Sequence, residues 1–381
     1  MVKAYSISVV LSERSESKDL SSPEFPDISS ILPQKSRFRN PHPSKTFPLG
    51  KSRKICYNKE NTTWEVLMNY GFGIDLGGTT VKLAFFQKDG TMLHKWEIPT
   101  DTSESGKRIL PDIAAAVLGH LDSSRIPKAD VLGIGIAVPG PVLPDGTVNR
   151  CVNLGWGVFN IATTLSALTG LPVKVGNDAN VAALGEYWRG GGQGYRSMVM
   201  VTLGTGVGGG VILDGKILHG SMGGGGEIGH MTLHREETIP CNCGKCGCVE
   251  QYCSATGIVR TAKAYLAATD APSVLRALPD FSCKDVFDAA DAGDPVALAY
   301  LETFYANAAE FISNICCVVN PEAVVIGGGV SKAGQPLLDG IRRHMDRFLF
   351  HAVSNMELRL ATLGNDAGAI GALRMILPEN N

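Results

Sequence analysis

From Tyr70 onward the chain sets short apolar runs between glycine-rich turns, and it does so twice on one plan. The first copy reads GFGIDLGGTTVKLAFF over Gly71–Phe86: a strand, a Gly/Thr turn and a second strand. Asp89-Gly90 follows, then a third strand through Met92–Ile98. The second copy is a strand over Val199–Leu203, a Gly/Thr turn, and a strand over Val211–Leu213. Asp214-Gly215 then leads into a strand over Lys216–His219. Apolar runs around Asp-Gly are hairpin signals, and two such units in one chain point to an internal duplication. Two glycine hairpins facing each other across a cleft would hold the phosphates of one nucleotide from both sides.

Between and after the copies, the period changes to that of helices. Apolar positions at Ile109, Ile113, Ala116, Val117 and Leu121 predict a helix over Lys107–Ser123. A buried strand is expected over Val131–Val138, ended by Pro139-Gly140-Pro141, with a loop over Val148–Trp156 and a helix over Ile161–Thr169. The strand Val173–Val175 runs into Gly176-Asn177-Asp178-Ala179-Asn180 and a helix over Val181–Trp188. Helices are expected over Gly257–Ala268 and Ala297–Val319. A buried strand over Ala323–Val330 ends in glycines, and a small-residue helix over Asn365–Leu373 is suited to close packing. Residues 1–69 differ: Ser, Pro, Lys and Arg dominate with no sustained period, so a disordered extension is expected there. A basic or regulatory arm is the alternative to a functionless extension, which is the preferred reading, and Met68 would make a sensible start.

At 381 residues the chain is long enough for two domains with substantial cores. Its formal net charge of −2 gives no pull toward nucleic acid, and no apolar run approaches the ~18 residues of a membrane span. The start lacks a convincing signal peptide. Several of the 10 cysteines cluster between Cys241 and Cys253 rather than spreading as a disulfide framework. A reducing, cytoplasmic setting with a metal-binding cluster is therefore expected.

Gly204, Gly206 and Gly209 satisfy G-x-G-x-x-G. A dinucleotide site would need a helix next, whereas a hairpin pattern follows. The same letters fit a protein-kinase glycine loop, but the V-A-I-K, H-R-D and D-F-G elements of that family are missing. A phosphate-binding turn between strands remains. Asn177, Asp178 and Asn180 stand at the carboxyl end of a strand, where α/β sheets bind ligands. Asp178 in isolation reads first as a helix cap and second as a general base. The C-x-C-G-x-x-G-C spacing of Cys241, Cys243, Cys246 and Cys248 signals a metal knuckle, with His230 and Cys246 equally good as fourth ligand on spacing alone.

Together, GIDLGGTTVKLAF, NLGW, NDANVAALGE, VTLGTGVGGG, GGEIGH, CNCGKCGCVE and IGGGVS resemble the sugar kinases of the ROK family, and within it the bacterial glucokinases. The resemblance runs from about Tyr70 to the carboxyl terminus. It implies an α/β, actin-like ATPase (ribonuclease H-like) fold: two duplicated domains around a nucleotide cleft, with a zinc knuckle. The expected small domain is 70–182 with the terminal helix 364–381, and the larger one is 183–363. The resemblance further implies that Asp75, Gly77, Gly78, Thr79, Thr80 and Lys82 form the first ATP element, with Asp75 near Mg²⁺. Gly204, Thr205 and Gly206 would form the second, and Gly327, Gly328 and Gly329 would lie beside the adenosine. Asp178 matches the catalytic base, with Gly140, Asn153, Asn177, Glu227, His230 and Glu250 around the sugar. The family's Zn²⁺ ligands fall on His230, Cys241, Cys243 and Cys248, which leaves Cys246 as an extra thiol. Met222 and Gly224 replace residues that vary across the family.

The implied reaction is phosphorylation of glucose at its 6-hydroxyl by ATP. The partners are the sugar and ATP, without nucleic acid or membrane, and the expected assembly is a homodimer. Kinases for N-acetylmannosamine, N-acetylglucosamine or fructose are the rivals among enzymes. A sugar-responsive transcriptional repressor is the rival from another class; it would carry a helix-turn-helix, of which residues 1–69 show no pattern.

Overall fold

The computed structural model describes residues 69–378. The expected extension up to residue 68 and the start at Met68 lie outside the described residues, as do 379–381. In chain order, β1 (Tyr70–Leu76), β2 (Thr80–Gln87) and β3 (Met92–Pro99) form an antiparallel meander. A helical turn, α1 (Ser103–Gly106), and α2 (Ile109–Ser124) lead to β4 (Val131–Val138), which pairs parallel to β1. A hairpin of β5 (Thr147–Cys151) and β6 (Trp156–Asn160) precedes α3 (Ile161–Thr169), β7 (Val173–Asn177) and α4 (Asp178–Arg189).

The plan then repeats with β8 (Met198–Leu203), β9 (Val207–Leu213) and the short β10 (Lys216–Ile217). After a long excursion come α5 (Glu250–Cys253), α6 (Ala255–Ala267), α7 (Cys283–Asp291) and α8 (Pro295–Val319). The chain finishes with β11 (Ala323–Gly327), α9 (Gln335–Met345), β12 (Glu357–Leu360) and α10 (Ala367–Ile376). The two sheets have matching orders, β3-β2-β1-β4-β7 and β10-β9-β8-β11-β12. In each, a three-strand meander is extended by two parallel strands, so the duplication read from glycine turns is present in the topology.

Core packing follows the apolar pattern. Phe72, Ile74 and Phe85 of the first sheet meet Ile113, Val117 and Leu121 on one face of α2. The central strands read as nearly continuous apolar runs because both faces are covered. Helix α8 contributes Phe304, Ala308, Phe311 and Ile315 to the second core, against Val324 and Ile326 of β11. Asp294 caps α8, accepting from the N–H groups of Val296 and Ala297 at 3.0 and 2.9 Å, just before Pro295 at the first turn.

Helices α4 and α10 lie between the sheets and touch each other closely. A Cβ on Gly371 would sit 1.8 Å from the Val181 carbonyl oxygen, and one on Gly185 would sit 2.2 Å from that of Ala367. On its other side α10 rests on the first sheet, where a Cβ on Gly73 would fall 2.0 Å from Ala369 O, and one on Gly135 would fall 1.8 Å from Ala372 O. Glycine is required here by proximity, since any side chain would overlap backbone. Helix α4 in turn packs on the second sheet through Gly210 of β9, whose added Cβ would meet the Ala183 methyl at 2.5 Å.

Three details differ from the sequence reading. The loop expected over Val148–Trp156 contains most of the β5–β6 hairpin, whose alternation is hidden because its outer residues are polar or exposed. The strand expected over Lys216–His219 pairs only at Lys216 and Ile217. The expected boundary between residues 182 and 183 falls inside α4, so this helix is shared by both halves.

Replacing Gly371 with Val is expected to lower stability by about 3 kcal/mol or more, because the neighbouring backbone cannot yield. Gly119 of α2 is the control: a Cβ there meets nothing within 4 Å, so Gly119→Ala is expected to stabilise by roughly 0.5–1 kcal/mol. Denaturant unfolding of the two variants checks both signs.

Candidate active site and thiol cluster

The chemistry gathers where β7 gives way to α4. Asn177 caps the helix, its Oδ1 accepting from Asn180 N–H at 3.1 Å. Its amide donates to Gly140 O at 3.1 Å and to Asp178 Oδ1 at 3.0 Å. Gly140 has φ +94, so the Pro-Gly-Pro end of β4 turns back to reach this amide. Asp178 Oδ1 also accepts from Ala179 N–H at 2.8 Å. Asp178 therefore occupies the first helical position, one residue past the cap, and its second oxygen is not taken by these bonds. Burial is the largest influence on it and raises its pKa above the ordinary 3.8; the carboxylates of Asp75 and Glu227 push in the same direction. A carboxylate that holds its proton more tightly is a better base once ionised.

Those charges identify its neighbours. Asp75, next to last in β1, faces Lys82 across the β1–β2 pair and forms an ion pair with it at 3.5 Å. The turn between them is closed by Gly77 N–H to Thr80 O at 3.0 Å and braced by Thr100 Oγ1 to Gly77 O at 2.7 Å; Gly78 and Thr79 are exposed at its tip. Helix α10 backs this strand so closely that a Cβ on Gly368 would be 2.9 Å from Asp75 Cγ.

The second turn, Gly204-Thr205-Gly206, joins β8 to β9, with Gly204 N–H bonded to Gly206 O at 2.9 Å. Thr256 Oγ1, in the first turn of α6, donates to Thr205 O at 2.8 Å. Gly327 pairs with Thr202, and Gly328, at φ +85, presses on Leu203, where a Cβ would be 2.5 Å from the carbonyl oxygen. The glycines after β11 thus stand beside the β8–β9 turn. A Cβ on Gly208 of β9 would lie 3.5 Å from that of Ala179, so this hairpin also flanks Asp178.

Glu250 links the turn to the cysteines. Its Oε2 accepts from Val207 N–H at 3.0 Å, and Cys241 Sγ lies 3.8 Å from its Oε1. His230 Nε2 is 3.9 Å from Glu227 Oε2. His230, Cys241, Cys243 and Cys248 place one ligand atom each within 4.8 Å of one another. Nδ1 of His230 is buried without a hydrogen-bond partner. Burial first, then the neighbouring thiols, push Cys248 up to about 12, while the Lys245 backbone N–H lowers Cys243. Cys246 is exposed, its thiol directed to Thr238 O at 3.6 Å, outside the cluster. His230, and not Cys246, thus stands with the three other thiols. The knuckle is tied to α6 by Glu237, which is held down to about 2 first by the Tyr252 hydroxyl, with Arg260 at 3.0 Å.

Asn153 sits in an exposed turn between β5 and β6, next to Cys151, whose thiol feels the Asp178 charge. Three residues of the site are not singled out for their roles by the sequence reading. Asn180 Nδ2 donates to Gly225 O at 3.1 Å and joins α4 to the glycine loop before Glu227. Thr256 braces Thr205, and Glu186 is fully buried. The sequence places Asn180 at the carboxyl end of a strand and Glu186 within NDANVAALGE, and gives no signal for Thr256.

Because its folded pKa is raised, ionised Asp178 costs stability at neutral pH. Asp178→Asn keeps the Ala179 bond and is expected to raise Tm at pH 7. The gain should shrink as pH falls through the folded pKa and vanish below the ordinary 3.8. Thermal melts from pH 3 to 8 test this, and a gain that persists unchanged at pH 3 contradicts it.

The ROK family profile matches residues 71–379. The chain is 45% identical over 320 residues to the glucokinase of Halalkalibacterium halodurans, covering 81% of this chain and 95% of that one. It is 35% identical over 316 residues to the glucokinase of Streptomyces coelicolor, covering 80% and 96%. Among solved structures, a ROK family glucokinase from Streptomyces griseus in complex with glucose and AMPPNP superposes with a TM-score of 0.64. It shares 33% identity over 80% of this chain and 98% of that one. The paired sheets and these neighbours fit an actin-like ATPase fold. With a family match across nearly all the described residues and relatives of this similarity, the chain belongs to the ROK family.

Proposed function

We propose that the chain is a glucokinase that transfers the γ-phosphoryl group of ATP to the 6-hydroxyl of glucose. The observation that carries the reading is Asp178: a half-buried carboxylate of raised proton affinity at the start of α4, flanked by the β8–β9 glycine hairpin and sensing Asp75. The relatives that match over most of the chain are glucokinases, and the Streptomyces griseus structure holds glucose and AMPPNP.

In this reading Asp178 takes the proton of the sugar hydroxyl as the new O–P bond forms and the bond from the γ-phosphorus to the ADP oxygen breaks. Asn177 holds the Asp178 carboxylate in place by its 3.0 Å bond. Backbone N–H groups of Gly77–Thr80 and Gly204–Gly206 cradle the phosphates, and Gly327–Gly329 lie beside the adenosine. Asp75 would hold Mg²⁺, which supplies charge neutralisation at the phosphates when bound. Lys82 then exchanges its ion pair with Asp75 for the nucleotide. Gly140, Asn153, Glu227, His230 and Glu250 line the sugar pocket, with specificity set by hydrogen bonds to the hydroxyls. Such catalysis is mostly positioning and electrostatics.

Zn²⁺ fits the thiol cluster. Three thiols crowded with one orphaned imidazole nitrogen make four donors within 4.8 Å of one another, the number a structural zinc takes, and a cation would reverse the penalty that raises Cys248. His230, Cys241, Cys243 and Cys248 would hold it, in a structural role that orients His230 and Glu250 toward the sugar. The two lobes proposed are 70–182 with the terminal helix, and 183–363, with α4 shared and the connections at 190–197 and 361–364 between them.

Coupled ADP release over a panel of hexoses and N-acetylhexosamines should show glucose as the substrate of highest kcat/KM; a preference for an N-acetylhexosamine would replace the substrate assignment. Asp178→Asn should cut kcat by about 10³-fold or more while glucose binding by calorimetry persists. Near-normal turnover in that variant would remove Asp178 from the base role. Elemental analysis should find about one zinc per chain, and a chelator should lower Tm as well as activity.

A further inference from the structure

The chain passes between its two sheets twice, and one carboxylate holds both passages. All strands of the second sheet lie between residues 198 and 360, and the strands of the first between 70 and 177. The outward passage is α4 and the stretch after it. The return passage is the stretch from Ala361 into α10. Glu186, fully buried on α4, accepts from Gly191 N–H through Oε2 at 2.8 Å. The same oxygen accepts from Thr362 N–H at 3.0 Å, and Oε1 accepts from Leu363 N–H at 2.8 Å. Gly190 makes room: a Cβ there would sit 1.9 Å from Glu186 Oε2. The passages also touch directly, since a Cβ on Gly191 would be 2.2 Å from Leu360 O.

We propose that Glu186 is a positioning residue for catalysis, a clamp that fixes the first sheet and its phosphate turn relative to the second sheet and its own. The inference rests on the kinase reading above. The argument is geometric. The Glu227–Glu250 segment, the Gly204–Gly206 turn and the glycines after β11 ride with the second sheet. Asp75, Gly77–Thr80 and, at the end of β7, Asn177 and Asp178 ride with the first sheet, and Glu186 grips the stretch that leads from the second sheet into α10. Releasing the clamp lets the Gly204–Gly206 phosphate turn drift from the Asp75 and Asp178 carboxylates. Backbone N–H bonds to a buried carboxylate are short, charge-assisted and directional, which suits a point that must flex without slipping. Small displacements at the reacting centre cost rate steeply.

The test compares the full-length wild type with Glu186→Gln. The amide keeps the volume but offers one acceptor where two oxygens received three donors. The expected result is a kcat for glucose phosphorylation lower by about tenfold or more. Hydrogen exchange at Gly191, Thr362 and Leu363 should speed up by about tenfold, while amides of β1 and β11 keep their rates. A kcat within about twofold of wild type overturns the proposal. So does exchange that accelerates equally through both sheets, the mark of a merely structural role. Should the Gln variant fail to fold, Leu363→Pro removes one donor at a residue whose φ of −85 suits proline. It should give the same loss of kcat on a smaller scale, and an unchanged kcat there is equally fatal. If the wild type lacks glucose-phosphorylating activity, the functional reading fails instead, and exchange at the three amides still decides whether the clamp exists.

Discussion

Helices α4 and α10 meet with almost no side chain between their backbones, and everything at the candidate site depends on that approach. Gly371 faces the Val181 carbonyl, Gly185 faces that of Ala367, and Gly73 and Gly135 let α10 settle on the first sheet. With larger residues the sheets would stand further apart, and the Glu227 carboxylate would no longer act on Asp178. Small residues at these positions are thus a distance setting, made in the helices and read out at the strand ends.

The electrostatics of the site follow from that distance. Asp178 is desolvated between two carboxylates, a position that disfavours its charge and makes it receptive to a proton. The thiol cluster presents the same tension in another form, because adjacent buried cysteines oppose one another's ionisation. In both places the polypeptide holds groups in a state that a cationic or protonating partner would relieve. The strain is local, and a large, well-packed core in each half carries it.

Much of this was legible in the sequence because the informative features were local. The duplicated meander showed in its turns, α2 and α8 showed in their period, and the thiol cluster showed in cysteine spacing. What stayed hidden depended on residues distant in sequence. The four-residue β12 is a strand only because β11 accepts it. The β5–β6 hairpin exposes Val152 and Val158, against the apolar-inward rule that would have revealed it. Helix α9 has a glycine in its middle that reads as a break, yet Gly340 is where Tyr305 packs. Spacing alone did not separate His230 from Cys246, because the approach of His230 to the thiols depends on how the segment before Cys241 folds back. Glu186 carried no local signal, since its three partners lie 5, 176 and 177 residues away.

The return passage also bears on synthesis. The first sheet is made early, but the helix that covers its Gly73 and Gly135 face follows every strand of both sheets in the chain. The second sheet, by contrast, has all of its strands before that point. On the ribosome the later half can therefore mature first, while the earlier half waits with an uncovered apolar face until residues 367–376 emerge. Chains truncated by even these few residues would keep the whole glycine-turn machinery in sequence and still leave the amino-terminal half unsealed.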